Sequence, residues 1–191
     1  QLINFAHGEV FIVGAYLALT LLLLLAPMAL PWGVLLLACG VGATGLCALL
    51  GWSIERVAYR PIRKAPRLNA LITAIGMSFF LQNALMLIYG ATDRQFPSLI
   101  PLVRWQMGGV SMTLMQLVVW ISGAVLMLGL QVLVMSTKLG KAMRACAQDL
   151  TACALLGVPV NRIIAVRFMI GSELAAIGGM LFGLNNCTIN I

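Results

Sequence analysis

Apolar residues fall into five long runs, over residues 5–26, 32–53, 69–90, 114–135 and 163–184. Each is close to the ~20 residues a helix needs to cross a hydrocarbon core. Charged residues are concentrated in the stretches between the runs. The pattern predicts an all-α, polytopic transmembrane bundle of about five spans.

The connections are unequal. Between the second and third runs, residues 55–67 carry five cations: Arg56, Arg60, Arg63, Lys64 and Arg67. Between the fourth and fifth lies a mildly basic island, residues 136–162, whose charge continues to Arg167. Pro27 to Pro31 carries no charge, and residues 91–113 hold only Arg94 and Arg104 against Asp93. Cation-rich loops stay on the cytoplasmic side. This predicts a cytoplasmic start and an external end. The external loop with Pro97, Pro101, Trp105, Gly108 and Gly109 reads as turn-rich, either an ordinary connection or a surface for a ligand-delivering partner.

The island itself predicts a short helix outside the bilayer. Ser136 or Thr137 supplies a cap, and Gly157 followed by Pro159 supplies a stop. Met143, Cys146, Ala147, Leu150, Cys153, Ala154 and Gly157 recur at steps of three or four, with Lys141, Arg144, Gln148 and Thr151 on the other side. Two readings follow. The helix either packs on its own domain as a connector or docks onto a cytoplasmic partner.

Composition removes the soluble alternatives. Hydrophobic residues make up 62% and charged ones 9%, where a soluble domain has about a quarter charged. The net charge of +7 lacks the interleaved aromatic platform of a nucleic-acid surface, and topology accounts for it. The five cysteines, Cys39, Cys47, Cys146, Cys153 and Cys187, include no C-x-x-C pair and indicate neither a metal site nor a disulfide frame. Because the chain opens at Gln1 with no basic leader, no cleavable signal is visible and a fragment is expected.

Polar groups inside apolar runs are costly unless they face a cavity, a helix break or another subunit. Asn4, His7 and Glu9 sit at the edge of the first run, with Asn4 and His7 on one face; solvation at the interface is the competing reading. The third run carries Thr73, Gly76, Ser78, Gln82 and Asn83, which read as interhelical hydrogen bonding or as substrate contacts. In the fifth run Gly171, Ala175, Gly179 and Gly183 form a small-xxx-small seam, and Glu173 stands as a lone carboxylate in mid-span. A phosphate-binding G-x-x-x-x-G-K-[ST], an H-E-x-x-H and a G-x-S-x-G are all missing, so no catalytic constellation is predicted.

Three stretches together resemble the permease subunit of bacterial branched-chain amino-acid ABC transporters: Ile3-Asn-Phe-Ala-His-Gly-Glu-Val10, residues 55–83 from Glu55-Arg-Val-Ala-Tyr-Arg-Pro61 to Gln82 and Asn83, and Gly140-Lys-Ala-Met-Arg-Ala-Cys-Ala-Gln-Asp149 through Gly157. The resemblance implies one transmembrane permease domain over residues 1–191, incomplete at both ends, in a multi-pass protein of the bacterial inner membrane. It further implies two cytoplasmic ATP-binding subunits holding ATP and magnesium, a second related permease, a periplasmic amino-acid-binding protein and surrounding lipid, with no cofactor on this chain and no nucleic acid. Lys141, Arg144, Gln148, Asp149, Leu156 and Gly157 are then expected to meet the ATPase. Asn4, His7, Gln82 and Asn83 are expected along the translocation path, and Gly171, Ala175, Gly179 and Gly183 in helix packing. The alternatives are a permease for urea or small amides, an ion-coupled secondary transporter using Glu173 and His7, and a non-transporting membrane scaffold assembled through the Gly171 to Gly183 seam.

Overall fold

A computed structural model describes residues 7–28, 31–62, 66–90, 92, 94–96, 104–107, 110–186 and 188–189. The five predicted spans are helices: α1 His7–Leu25, α2 Trp32–Ile54, α3 Arg67–Tyr89, α4 Leu114–Ser136 and, after two shorter helices, α7 Val160–Asn186. All five are long and apolar enough to cross a membrane. Local chemistry sets their ends. Pro31 and Pro66 stand just before α2 and α3 with extended backbone, where a missing N–H costs nothing. Gly90, at φ 86°, closes α3 in a conformation that L side chains rarely adopt. The Thr113 backbone N–H donates to Gln116 Oε1 at 3.2 Å and starts α4.

Packing centres on α1, α2 and α7. Tyr16, Leu22, Val10, Cys39 and Cys47 are the largest fully buried side chains. Small residues bring the backbones together. A Cβ on Gly14 would overlap the Ala176 backbone, one on Gly51 would overlap Ser172, and one on Gly179 would strike the Phe11 carbonyl oxygen. By contrast α4 buries only Met115 among its residues. Its apolar faces are open to lipid or to other chains.

Two contacts order the bundle ends. The Tyr59 and Phe168 rings lie 5.0 Å apart, which brings the end of α2 to the early turns of α7. The cation-rich stretch after Tyr59 and the island before α7 therefore share one end. At the other, Phe96 packs on Gly183, and β1 Arg94–Gln95 pairs antiparallel with β4 Thr188–Ile189. The parity predicted from loop charge requires this grouping.

Two local features differ from the sequence expectation. The second span continues past Ile54 as a π-helix, Glu55–Tyr59, which stops where Pro61 cannot continue it. The loop predicted to be turn-rich and external holds a strand pair, β2 Arg104–Met107 with β3 Val110–Thr113, in register from Arg104 opposite Thr113 to Met107 opposite Val110. The Gly108-Gly109 pair between them is a hairpin signal.

Candidate functional site

The island folds as two helices, not one. α5 spans Lys138–Gln148 and α6 spans Leu150–Leu155. Thr137 starts α5 as predicted: its hydroxyl accepts from the Gly140 N–H at 3.0 Å and donates to the Leu133 carbonyl at 2.6 Å. Gly140 is buried against the carbonyls of Leu133 and Val134, where no Cβ fits, so α5 turns back tightly against the end of α4. The break falls at Asp149, whose backbone is extended at φ −146° and ψ 112°. Its carboxylate accepts from the N–H groups of Thr151 at 2.7 Å and Ala152 at 3.1 Å. A side chain that caps its own downstream backbone competes with helix continuation, which is why one periodic segment becomes two helices.

This corrects the predicted faces. Met143 and Cys146 on α5 and Cys153 on α6 are buried with Ile163 of α7, flanked by Leu139, Ala142, Val158, Val160, Val166 and Ile170. Ala147, Leu150, Ala154 and Gly157, placed on the apolar face by periodicity, are exposed. Gly157 ends the unit at φ 77°. Burial raises the Cys146 thiol above its ordinary range, and the neighbouring Cys153 thiol adds to the effect.

The expected ATPase-facing residues divide by role. Lys141 and Gln148 are exposed. Arg144 is exposed but spends its guanidinium on its own chain: it donates to the Val134 carbonyl and lies 3.5 Å from Met135 Sδ. That contact caps the end of α4 with a cation. Asp149 is the α6 cap. Leu156 is 81% exposed beside Leu155 at 84%, an apolar pair outside the spans, and Leu150 at the start of α6 is 49% exposed. Sequence reasoning put Leu150 inside and did not single out Leu155, although a leucine pair just before a terminal glycine carries that signal.

Among the expected path residues, Asn4 lies outside the described residues, as does the side chain of His7, which opens α1. Gln82 is half-buried, whereas Asn83 is exposed and donates to the Phe79 carbonyl of its own helix at 2.7 Å. What the structure brings together instead is Glu9 and Ser78: the serine hydroxyl donates to Glu9 Oε1 at 2.9 Å. The other carboxylate oxygen of Glu9 is buried with no hydrogen-bond partner among the described residues. Both were legible as polar groups in apolar runs, but their pairing depends on helix register. On α7, Ala175, Gly179 and Gly183 are buried, Gly171 is half-buried, and Glu173 is half-buried in mid-helix.

The comparisons with known proteins fit this architecture. A family described as the permease component of the branched-chain amino acid transport system matches residues 1–190. The chain belongs to that family. It is 46% identical over 188 residues to the high-affinity branched-chain amino acid transport system permease protein LivH of Escherichia coli, covering 95% of this chain and 61% of LivH. It is 42% identical over 194 residues to the corresponding permease protein BraD of Pseudomonas aeruginosa, covering 99% and 63%. A xylose/arabinose import permease protein, XylH of Sulfolobus acidocaldarius, is 32% identical over 123 residues, covering 64% and 33%. The chain thus spans less than two thirds of the length of these curated relatives. No solved structure matches.

Proposed function

We propose that this chain is the membrane permease part of an ATP-driven importer of branched-chain amino acids in a bacterial inner membrane, and that α5 and α6 form its contact with a separate ATP-binding subunit. One observation supports the contact most directly. Leu155 and Leu156 are almost fully exposed on a unit that lies outside the five candidate spans. Exposed apolar patches in such places mark protein contacts. Lys141 and Gln148 on α5 are exposed as well, polar groups of the kind that rim a protein contact.

The basic residues after Tyr59 and around the island put this end of the bundle on the cytoplasmic side, where ATP is available. On this reading two ATP-binding subunits hold ATP and magnesium, and a second related permease completes the path. A periplasmic binding protein delivers substrate to the end that carries Phe96. The permease's own contribution is mechanical. Gly140, Arg144 and the Thr137 cap tie α5 to α4, and Cys153 packs α6 on Cys146 of α5 and Ile163 of α7, so a push on Leu155 and Leu156 reaches the membrane spans through this one small cluster.

The test is uptake by the complete complex in proteoliposomes with ATP enclosed on the ATPase side. Radiolabelled leucine, isoleucine or valine should accumulate, and unlabelled urea or arabinose should not compete. Accumulation of urea or a pentose with no leucine transport would overturn the substrate assignment. Uptake driven by an ion gradient without ATP would overturn the energy source.

A further inference from the structure

The joint between α5 and α6 holds two thiols whose meeting needs the break at Asp149. Cys146 and Cys153 are seven residues apart. In one continuous helix their Cα atoms would stand ~10.5 Å apart at ~1.5 Å per residue. A disulfide needs less than ~7 Å. The extended backbone at Asp149 turns α6 back, and both side chains enter one small cluster with Met143 and Ile163. Both thiols are buried there, and neither is in a disulfide.

We propose that Cys146 and Cys153 form a dithiol site that closes to an intramolecular disulfide when it meets a low-molecular-weight disulfide. The step balances. The thiolate of one cysteine attacks a sulfur of the small disulfide, forming a mixed disulfide and releasing one small thiol. The thiolate of the second then attacks the protein sulfur of that bond and releases the other. Two protein thiols lose two electrons and two protons, and one small disulfide becomes two thiols.

Access comes from α6. It is six residues long and buries only Cys153, so it belongs to the low-stability end of the fold, where local opening is cheap. Cys153 is therefore the thiol exposed first, with Cys146 as the resolving partner. Closing the bond fixes the angle between the two helices. A metal is a poorer occupant, because among the described residues no group of three or more His, Cys, Asp or Glu side chains is placed to hold one. The inference concerns the chain's own thiols and does not depend on an ATPase contact.

The experiment treats the full-length permease in detergent with oxidised glutathione, blocks remaining thiols, and maps peptides by mass spectrometry without reduction. The expected product is a peptide pair joined through Cys146 and Cys153 and lighter by two hydrogens, lost in C146S and in C153S. The variant Asp149→Ala, which removes the side-chain cap, should cut its yield several-fold, because a straighter α5–α6 separates the thiols. Stable glutathione adducts at single cysteines, or reduced thiols at both positions after treatment, would overturn the proposal. So would an unchanged yield in Asp149→Ala with unchanged circular dichroism.

Discussion

The hydroxyls of Thr20 and Tyr89 lie 2.7 Å apart, joining α1 to α3. Thr20 gives its single proton to the Tyr16 carbonyl, also at 2.7 Å, so Tyr89 is the donor. The Glu9–Ser78 bond joins the same two helices, and both pairs are separated by 69 residues. A constant offset means parallel helices in register, with the two bonds ~16 Å apart along the axis at ~1.5 Å per residue. The first and third spans must run in the same direction in any five-span topology, and this register meets that requirement.

A double-mutant cycle with Thr20→Val and Tyr89→Phe should give a coupling of about 0.6 kcal/mol, and no more than about 2 kcal/mol, in detergent unfolding. Near-zero coupling would mean that the two hydroxyls find equivalent partners elsewhere.

Glycine positions that look alike in sequence should respond differently. Gly179→Ala drives a methyl into the Phe11 carbonyl, with the Ala15 nitrogen 3.1 Å away, and neither backbone group can rotate aside. A loss of about 1 to 3 kcal/mol is expected. Gly129→Ala on α4 meets nothing within 4 Å and should be neutral or stabilising by up to about 1 kcal/mol. Thermal aggregation of the two purified variants compares them directly.

Sidedness follows from the Tyr59–Phe168 and Phe96–Gly183 contacts. Single cysteines at Arg60 and Lys141 should react with an impermeant maleimide from one side of the membrane, and one at Gln95 from the other. Reaction of all three from the same side would break the shared-end arrangement.

The raised Cys146 thiol makes the island sensitive to alkali. Because its folded pKa lies above the unfolded value of 9.0, burying the neutral thiol contributes stability that is fully present below that value. The contribution is lost as pH rises through the folded pKa. Amide exchange in α5 and α6, corrected for the intrinsic pH dependence, should show weakening protection above pH 9.0 in wild type and not in C146S.

Much of this architecture was legible in the sequence. The runs over residues 32–53 and 114–135 match α2 and α4 to within one residue, because long apolar segments bounded by proline, glycine or a capping threonine leave little choice. The break at Asp149 was hidden. An aspartate in a helical pattern reads as a solvated residue until its carboxylate is seen on Thr151 and Ala152. Arg144 was hidden for a similar reason: nothing local says that α5 folds back far enough for a guanidinium to reach the Val134 carbonyl. The Glu9–Ser78 pair required knowing how two helices 69 residues apart slide against each other.

Arg144 is consequently a poor probe of an ATPase contact, since replacing it also releases α5 from α4. The leucine patch is cleaner, because Leu155 and Leu156 touch little of their own chain. The most direct measurement is recovery of the ATP-binding subunit on full-length permease carrying Leu155→Asp and Leu156→Asp, purified from membranes in detergent. A buried interface leucine is worth about 2 kcal/mol when lost, on the order of thirtyfold in affinity. The expected result is normal permease yield, retained partner permease and loss of the ATPase together with substrate-stimulated hydrolysis. Undiminished ATPase recovery with undiminished coupled hydrolysis would contradict the assignment of α5 and α6 as the coupling surface.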